Sequence, residues 1–244
     1  MGGRVEQLTG THVVREALLA RRRKLLRLRV AGRPDRELLA AAEEAGVPVE
    51  RVEAERLPRS EDRGGPQGVA LEAGPLPDVQ LEELAGSDDP SARLVLLDGV
   101  EDPHNLGAIA RVAEAAGALG LIQAQRRAAP VSPAASRASA GALEWLPVAR
   151  VANLRNAIRF LKERDFWVVA TDGEARDDLF SLPDRSLSGR LVVALGAEGR
   201  GLRPGVLELA DFRVRIPMSG HIESLNVSTA GAIVLYELLR RTRG

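Results

Sequence analysis

The chain has 244 residues, 45% of them apolar, and balances 34 basic against 34 acidic side chains. That length allows one large domain or two modest ones, and the balance excludes both a disordered chain and a uniformly basic nucleic-acid binder. Cysteine is absent, which excludes disulfides, thiolate metal sites and a cysteine nucleophile.

From the N-terminus, residues 11–21 place Val13, Val14, Ala17, Leu18 and Leu19 on one helical side and predict a helix. Residues 25–30 alternate as a strand. Residues 37–45 read as a helix that stops at Gly46, and residues 47–52 and 67–71 as short strands. Residues 1–73 are thus expected to form a small α/β domain. Between Arg15 and Arg36, nine basic residues against two acidic ones give a local charge of +7. Such a stripe is either a solvated helix end or a phosphate-contacting patch. Only Lys24 and Lys162 are lysines, leaving 32 arginines; a GC-rich genome accounts for such a bias, although the guanidinium fork also suits phosphate. Residues 74–91, rich in Gly, Pro and acid, read as a linker or short helix.

Residues 92–244 are expected to form the second domain. Apolar strands at 94–97, 119–122, 167–170 and 191–195, and an alternating one at 212–216, are interleaved with helices at 105–116, 151–164 and 227–239; Gly117 is a plausible C-cap. This alternation predicts a parallel sheet covered on both faces, with ligands beyond the carboxyl ends of its strands. No apolar run approaches the roughly 18 residues of a membrane span, and no secretory signal is visible, so a cytoplasmic protein is expected. His12, His104 and His221 are scattered, and no metal is expected.

Three polar clusters follow strands. In the first, residues 98–111, Asn105 is either a helix cap or a site residue; Arg111 lies six residues on, nearly two turns, and is expected on roughly the same side, while Gly107 keeps the first turn free of bulk. In the second, residues 191–202, Gly196, Gly199 and Gly201 run as G-x-x-G-x-G, the reverse of the dinucleotide order, and Glu198 would repel a phosphate. In the third, residues 216–230, Pro217 and Met218 offer apolar surface, and Ser224 and Asn226 offer hydrogen bonds or a helix cap. An adenine ring with a positive sulfonium suits these groups better than an anionic nucleotide.

Together the clusters resemble the SpoU/TrmH family of RNA ribose 2′-O-methyltransferases, in the SPOUT class. The motif residues are Asn105-x-Gly107-x-x-x-Arg111; Leu195-Gly196-x-Glu198-Gly199-x-Gly201-Leu202; and Ile216-Pro217-Met218 with Ser224-Leu225-Asn226-Val227-Ser228. Residues 10–14 and 67–69 are also similar to the small ribosomal-protein-L30e-like substrate-binding domain of many members, with Pro66 where many carry His. The layout is closest to members that methylate a guanosine ribose of 23S rRNA.

The resemblance implies a C-terminal deep trefoil knot, a homodimer with Arg111 at or near its interface, and S-adenosylmethionine as cofactor. It assigns cofactor contacts to Leu195, Gly196, Gly201, Ile216, Met218 and Leu225, largely through backbone groups. It assigns catalysis to Asn105, Arg111, Glu198, Ser224 and Asn226. Arg21, Arg22, Arg23, Arg126 and Arg137 are the candidate RNA contacts, and the Pro/Ser/Ala-rich stretch 128–140 is either a loop that closes over RNA or a plain surface connection. Trp145 and Trp167 are expected in a core or interface; with aromatics at 3%, base stacking has few candidates. Transfer RNA is the rival substrate, and a non-catalytic rRNA-binding assembly factor the rival role.

Overall fold

The computed structural model describes residues 4–58 and 68–243. Pro66, Gln67 and the start of the strand expected at 67–71 lie outside the described residues. The chain divides into two compact units. One holds the chain up to Pro77 together with Val131–Trp145; the other holds Asp78–Pro130 and the chain from Leu146 onward. The boundaries expected at 73 and 92 therefore shift, and the second domain gives up residues 131–145 to the first unit.

In the first unit, strands β1 (Glu6–Thr9), β2 (Leu25–Val30), β3 (Val49–Arg51) and β4 (Val69–Ala73) form a sheet in the order β1-β4-β2-β3, antiparallel except for the parallel β2–β3 pair. Alternation in β2 sends Leu28 and Val30 inward and Arg27 and Arg29 outward. Helix α1 (Thr11–Ala20) buries Val13, Val14, Ala17 and Leu18 against this sheet and ends on Arg21, whose left-handed backbone lets its N–H reach the Ala17 carbonyl at 3.1 Å. Helix α2 (Arg36–Glu44) starts at Asp35, whose carboxylate accepts the Glu37 N–H at 3.1 Å.

The second unit opens with α3 (Leu81–Ala85), so the expected linker contains a helix. There follow β5 (Arg93–Asp98), α4 (Pro103–Ala115) and β6 (Gly120–Ala124). Helix α4 begins two residues before Asn105 because Asp102 caps it, accepting the His104 N–H at 2.9 Å, and Pro103 fits the first turn. Asn105 is therefore inside the helix and is not its cap.

After β6 the chain leaves this unit. The stretch expected as a loop contains helix α5 (Pro133–Ala138), capped by Ser132 and begun by Pro133, and a 3-10 turn at Ala142–Glu144. Both pack within the first unit, α5 on β1 and the turn on α1. An ion-pair cluster anchors them. Arg23 donates to Glu6 and Glu144, both at 3.0 Å, and the Ser136 hydroxyl donates to Glu144 at 3.2 Å. The Arg23 and Glu144 side chains are each only 1% exposed. Burial pushes the Glu144 carboxyl above its usual range, against the opposing pull of Arg23, the Ser136 hydroxyl and Arg22.

The second unit resumes with β7 (Val148–Val151), α6 (Leu154–Lys162), β8 (Phe166–Thr171), β9 (Asp177–Asp178), β10 (Arg190–Gly196), α7 (Pro204–Leu207), β11 (Phe212–Arg215) and α8 (Val227–Arg243). The helix expected from 151 starts at Leu154, because Asn153 caps it and the residues before it are committed to β7. The sheet order is β7-β6-β5-β10-β8-β11-β9, parallel throughout. On one face Leu94, Leu96, Ile122, Val168, Val192 and Ala194 pack with Ile158 and Leu161 of α6. Helix α8 packs on α4 and β10; a Cβ on Gly231 would come within 2.8 Å of Leu195 Cδ1, so glycine there permits the close approach. Trp145 and Trp167, expected in a core or interface, are 45% and 52% exposed and so lie outside the core. Trp145 donates its indole N–H to Glu16 at 2.8 Å, and Trp167 leans on Phe212 with centroids 6.1 Å apart.

Candidate active site

The sheet fixes where the polar clusters meet. Strand β5 lies between β6 and β10, so the chain departs to one side after β5 and the other after β10. In open parallel sheets such a switch point makes a crevice at the carboxyl ends of the strands. Asp98 ends β5 and Gly196 ends β10, and the two are paired in register.

Beyond Gly196 the chain makes a tight turn. Ala197 and Gly201 exchange two backbone hydrogen bonds, at 3.1 and 2.8 Å. Gly199 and Gly201 have φ of 76° and 64°, a left-handed backbone that suits glycine. Gly196 is required by space, since a Cβ there would lie 2.1 Å from the Gly201 carbonyl carbon. At the far side of the turn the Asp98 carboxylate accepts the Arg203 backbone N–H at 2.9 Å and its Nε–H at 2.6 Å. Asp98 and Arg203 were not expected as site residues. The signal was an acid closing an apolar strand, because a buried carboxylate needs a cation or donors.

The third cluster joins the first directly. The Asn226 amide donates to Asn105 Oδ1 at 3.0 Å, while its own Oδ1 accepts the Ser228 N–H at 2.9 Å and hydroxyl at 2.6 Å, which caps α8. Ahead of this cap, Pro217, Met218, Ile222 and Ser224 are exposed and Ile216 and Leu225 half-buried. Leu195 is fully buried, so its side chain packs in the core and only its backbone is available to a ligand. Arg111 does not share the side of Asn105: six steps of about 100° turn it about 120° away. Arg111, Glu198 and Ser224 are exposed and, among the described residues, make no side-chain hydrogen bond or ion pair. Asn105 and Asn226 are thus joined directly, the glycine turn is tied to Asp98, and these three side chains are left open.

Much of the +7 stripe is neutralised within its own unit. Arg15 pairs with Glu37, Arg21 with Glu44, Arg27 with Glu50 and Glu72, and Arg29 with Glu72. Arg23, expected on RNA, is instead buried between Glu6 and Glu144, whose carboxylates pair with its two terminal nitrogens. Arg22 is half-buried and turns inward to the Leu143 and Glu144 carbonyls, both at 3.4 Å. Arg137, also half-buried, donates to the Thr9 hydroxyl at 3.2 Å. Of the five candidate RNA contacts, Arg21 and Arg126 are exposed.

Residues 92–236 match the SpoU rRNA Methylase family, and residues 7–79 match a family described as RNA 2′-O ribose methyltransferase substrate binding. The chain belongs to the SpoU methylase family. It is 36% identical to the 23S rRNA (guanosine-2′-O-)-methyltransferase RlmB of Pseudomonas putida, covering 97% of each chain. Among solved structures, an RNA 2′-O ribose methyltransferase is similar with a TM-score of 0.83 at 30% identity, covering 99% of this SpoU chain and 90% of its own. The SpoU methyltransferase AviRb from Streptomyces viridochromogenes, in complex with AdoMet, gives a TM-score of 0.83 at 25% identity, over 98% and 92% of the two chains.

Proposed function

We propose that this protein methylates the ribose 2′-oxygen of a guanosine in 23S rRNA, using S-adenosylmethionine. The observation that carries the reading is the Asn226–Asn105 hydrogen bond, which joins the first and third motifs beside the switch point of the sheet. The cofactor fits this chain's residues: the turn at 196–202 leaves residues 198–200 exposed, and Met218, Ile216 and Leu225 offer apolar surface for an adenine ring. Backbone groups of Leu195, Gly196, Gly201, Ile216, Met218 and Leu225 would hold it. When bound, it supplies a reactive methyl group with a neutral leaving group.

The protein's own task is the nucleophile. A ribose 2′-OH is a very weak acid, so its proton must be polarised while the oxygen is held in line. A guanidinium offers donors and no acceptor, so Arg111 does not serve as base. Its fork instead stabilises the developing alkoxide or clamps a neighbouring phosphate. Asn105 and Asn226 orient the ribose, and Glu198 and Ser224 complete the polar surround.

The reading also includes a deep trefoil knot at the C-terminus, an L30e-like first domain that binds substrate, a homodimer, no metal ion and a cytoplasmic setting. The divergence of Arg111 from Asn105 around α4 favours the homodimer, since it leaves Arg111 free to serve the ribose held by Asn105 and Asn226 of a second copy of the chain. Match of residues 7–79 to the substrate-binding family favours the N-terminal role. Among the described residues no acidic or histidine group is arranged to hold a metal, and no helix is long and apolar enough to cross a membrane.

The test is transfer of labelled methyl from S-adenosylmethionine to unmodified 23S rRNA, with transfer RNA in parallel. Label on a guanosine ribose of 23S rRNA supports the reading. Label confined to transfer RNA, label on a base, or no transfer contradicts it.

A further inference from the structure

We propose that Asp98 is a positioning residue for the cofactor: acting through Arg203, it sets the shape of the turn at 196–202 and hence the affinity for S-adenosylmethionine. This inference rests on the cofactor reading above and adds a residue that touches no reacting atom.

The geometry places one carboxylate across the whole turn. At the turn's entry, Gly196 is laddered beside Asp98. At its exit, the Asp98 side chain holds both the backbone N–H and the Nε–H of Arg203, 2.9 and 2.6 Å away. Between them the turn is closed by the Ala197–Gly201 backbone pair, and residues 198–200 are exposed. The chain leaving β5 also runs alongside: a Cβ on Gly99 would stand 3.4 Å from the Ala197 Cβ. Arg203 is moreover the residue at which α7 begins, so fixing its N–H fixes the join between turn and helix.

Burial makes this tie strong. The Asp98 side chain is fully buried, whereas that of Arg203 is 62% exposed. A buried carboxylate is costly unless donors and a cation satisfy it, and charge-assisted hydrogen bonds are short and directional. Removing either partner leaves the turn held at its exit by less than the full set, and a displacement of about 0.5 Å in backbone groups that line a ligand is enough to weaken binding.

The experiment measures binding of S-adenosylmethionine and S-adenosylhomocysteine to the full chain by calorimetry, for wild type, Asp98→Asn, Arg203→Ala, Arg203→Lys and the Asp98→Asn/Arg203→Ala double variant. Unfolding midpoints and affinity for unmodified 23S rRNA are measured on the same samples. The expected result is a Kd raised about tenfold in Asp98→Asn and in Arg203→Ala, with Arg203→Lys between them and wild type. The double variant is expected to be no worse than the weaker single, since one linkage is lost once. In methylation assays KM for the cofactor rises while kcat at saturation stays within about twofold. Unchanged Kd values in both single variants overturn the proposal. So does weakened binding confined to a variant whose unfolding midpoint collapses while Arg203→Ala binds normally, since that marks a merely structural role. Failure of wild type to bind either ligand overturns the cofactor reading itself, and this inference with it.

Discussion

Arg23 in the first unit and Arg111 in the second are the same residue type placed under opposite conditions. Arg23 is stripped of water and shared between Glu6 and Glu144, so its charge is consumed in holding residues 131–145 to the sheet of the first unit. Arg111 stands exposed and, among the described residues, unpaired, turned about 120° around α4 from Asn105. An arginine-rich stripe in a sequence therefore says little about nucleic acid until its carboxylates are located. What marks an arginine for work on a ligand is a charge that its own protein has left unsatisfied.

The sharpest break of this contrast is Arg23→Met. It leaves two buried carboxylates without their cation and is expected to cost about 3–5 kcal/mol in urea denaturation of the first unit. A change below about 1 kcal/mol, the level of an exposed pair, would remove the distinction. Arg111→Ala is expected to do the reverse: methylation initial rates fall about 10²–10³-fold with the urea midpoint unchanged. Arg111→Lys should recover little if the planar fork is what serves.

Asn226 lies between these extremes, capping α8 and carrying a proposed role in the site. Asn226→Ala is expected to cost about 1 kcal/mol through the lost cap of α8, read from thermal melting and amide exchange near Ser228. Asn226→Asp keeps the cap but loses the donor to Asn105, so stability should return while methylation stays impaired.

The gentlest probe is pH, which acts on the two units in opposite senses. In α8, hydrogen bonds from Arg240, and then Arg241, hold the Glu237 carboxyl at about 2, below its ordinary 4.5. A depressed carboxyl stabilises the fold above 4.5 and loses that contribution as pH falls toward about 2. Glu144 is raised by burial, so its contribution is greatest below its ordinary value and shrinks as pH rises. Glu237→Gln should therefore flatten the acid limb of the second unit's melting curve, and Glu144→Gln should flatten the rise of the first unit's stability toward acid.

Much of the second unit was legible in the sequence. Apolar runs such as Leu94–Leu97 and Leu191–Leu195 are what a parallel sheet buried on both faces requires, and its ends are where the polar clusters fall. Asn105 and Asn226 were legible as site candidates from the three motifs taken together, but their direct contact spans 121 positions and was not. Residues 131–145 were legible only in part: Ser132-Pro133 is a helix start, but nothing local says that the helix packs in the first unit. The pairing of Asp98 with Arg203 spans 105 positions, and that of Arg23 with Glu144 spans 121, so no window on the sequence connects them. Strands β1 and β7 are four residues each, too short for their periodicity to stand out. The side-sharing expected of Asn105 and Arg111 failed on simple helix geometry, because six residues is not a whole number of turns.

The proposed activity stands or falls on the nucleotide modified in the cell. Mass spectrometry of 23S rRNA from cells lacking this protein should show one guanosine ribose without its 2′-O-methyl group, restored by the wild-type protein and not by Arg111→Ala. Full methylation of every 23S guanosine ribose site in those cells, or restoration by Arg111→Ala, would contradict it.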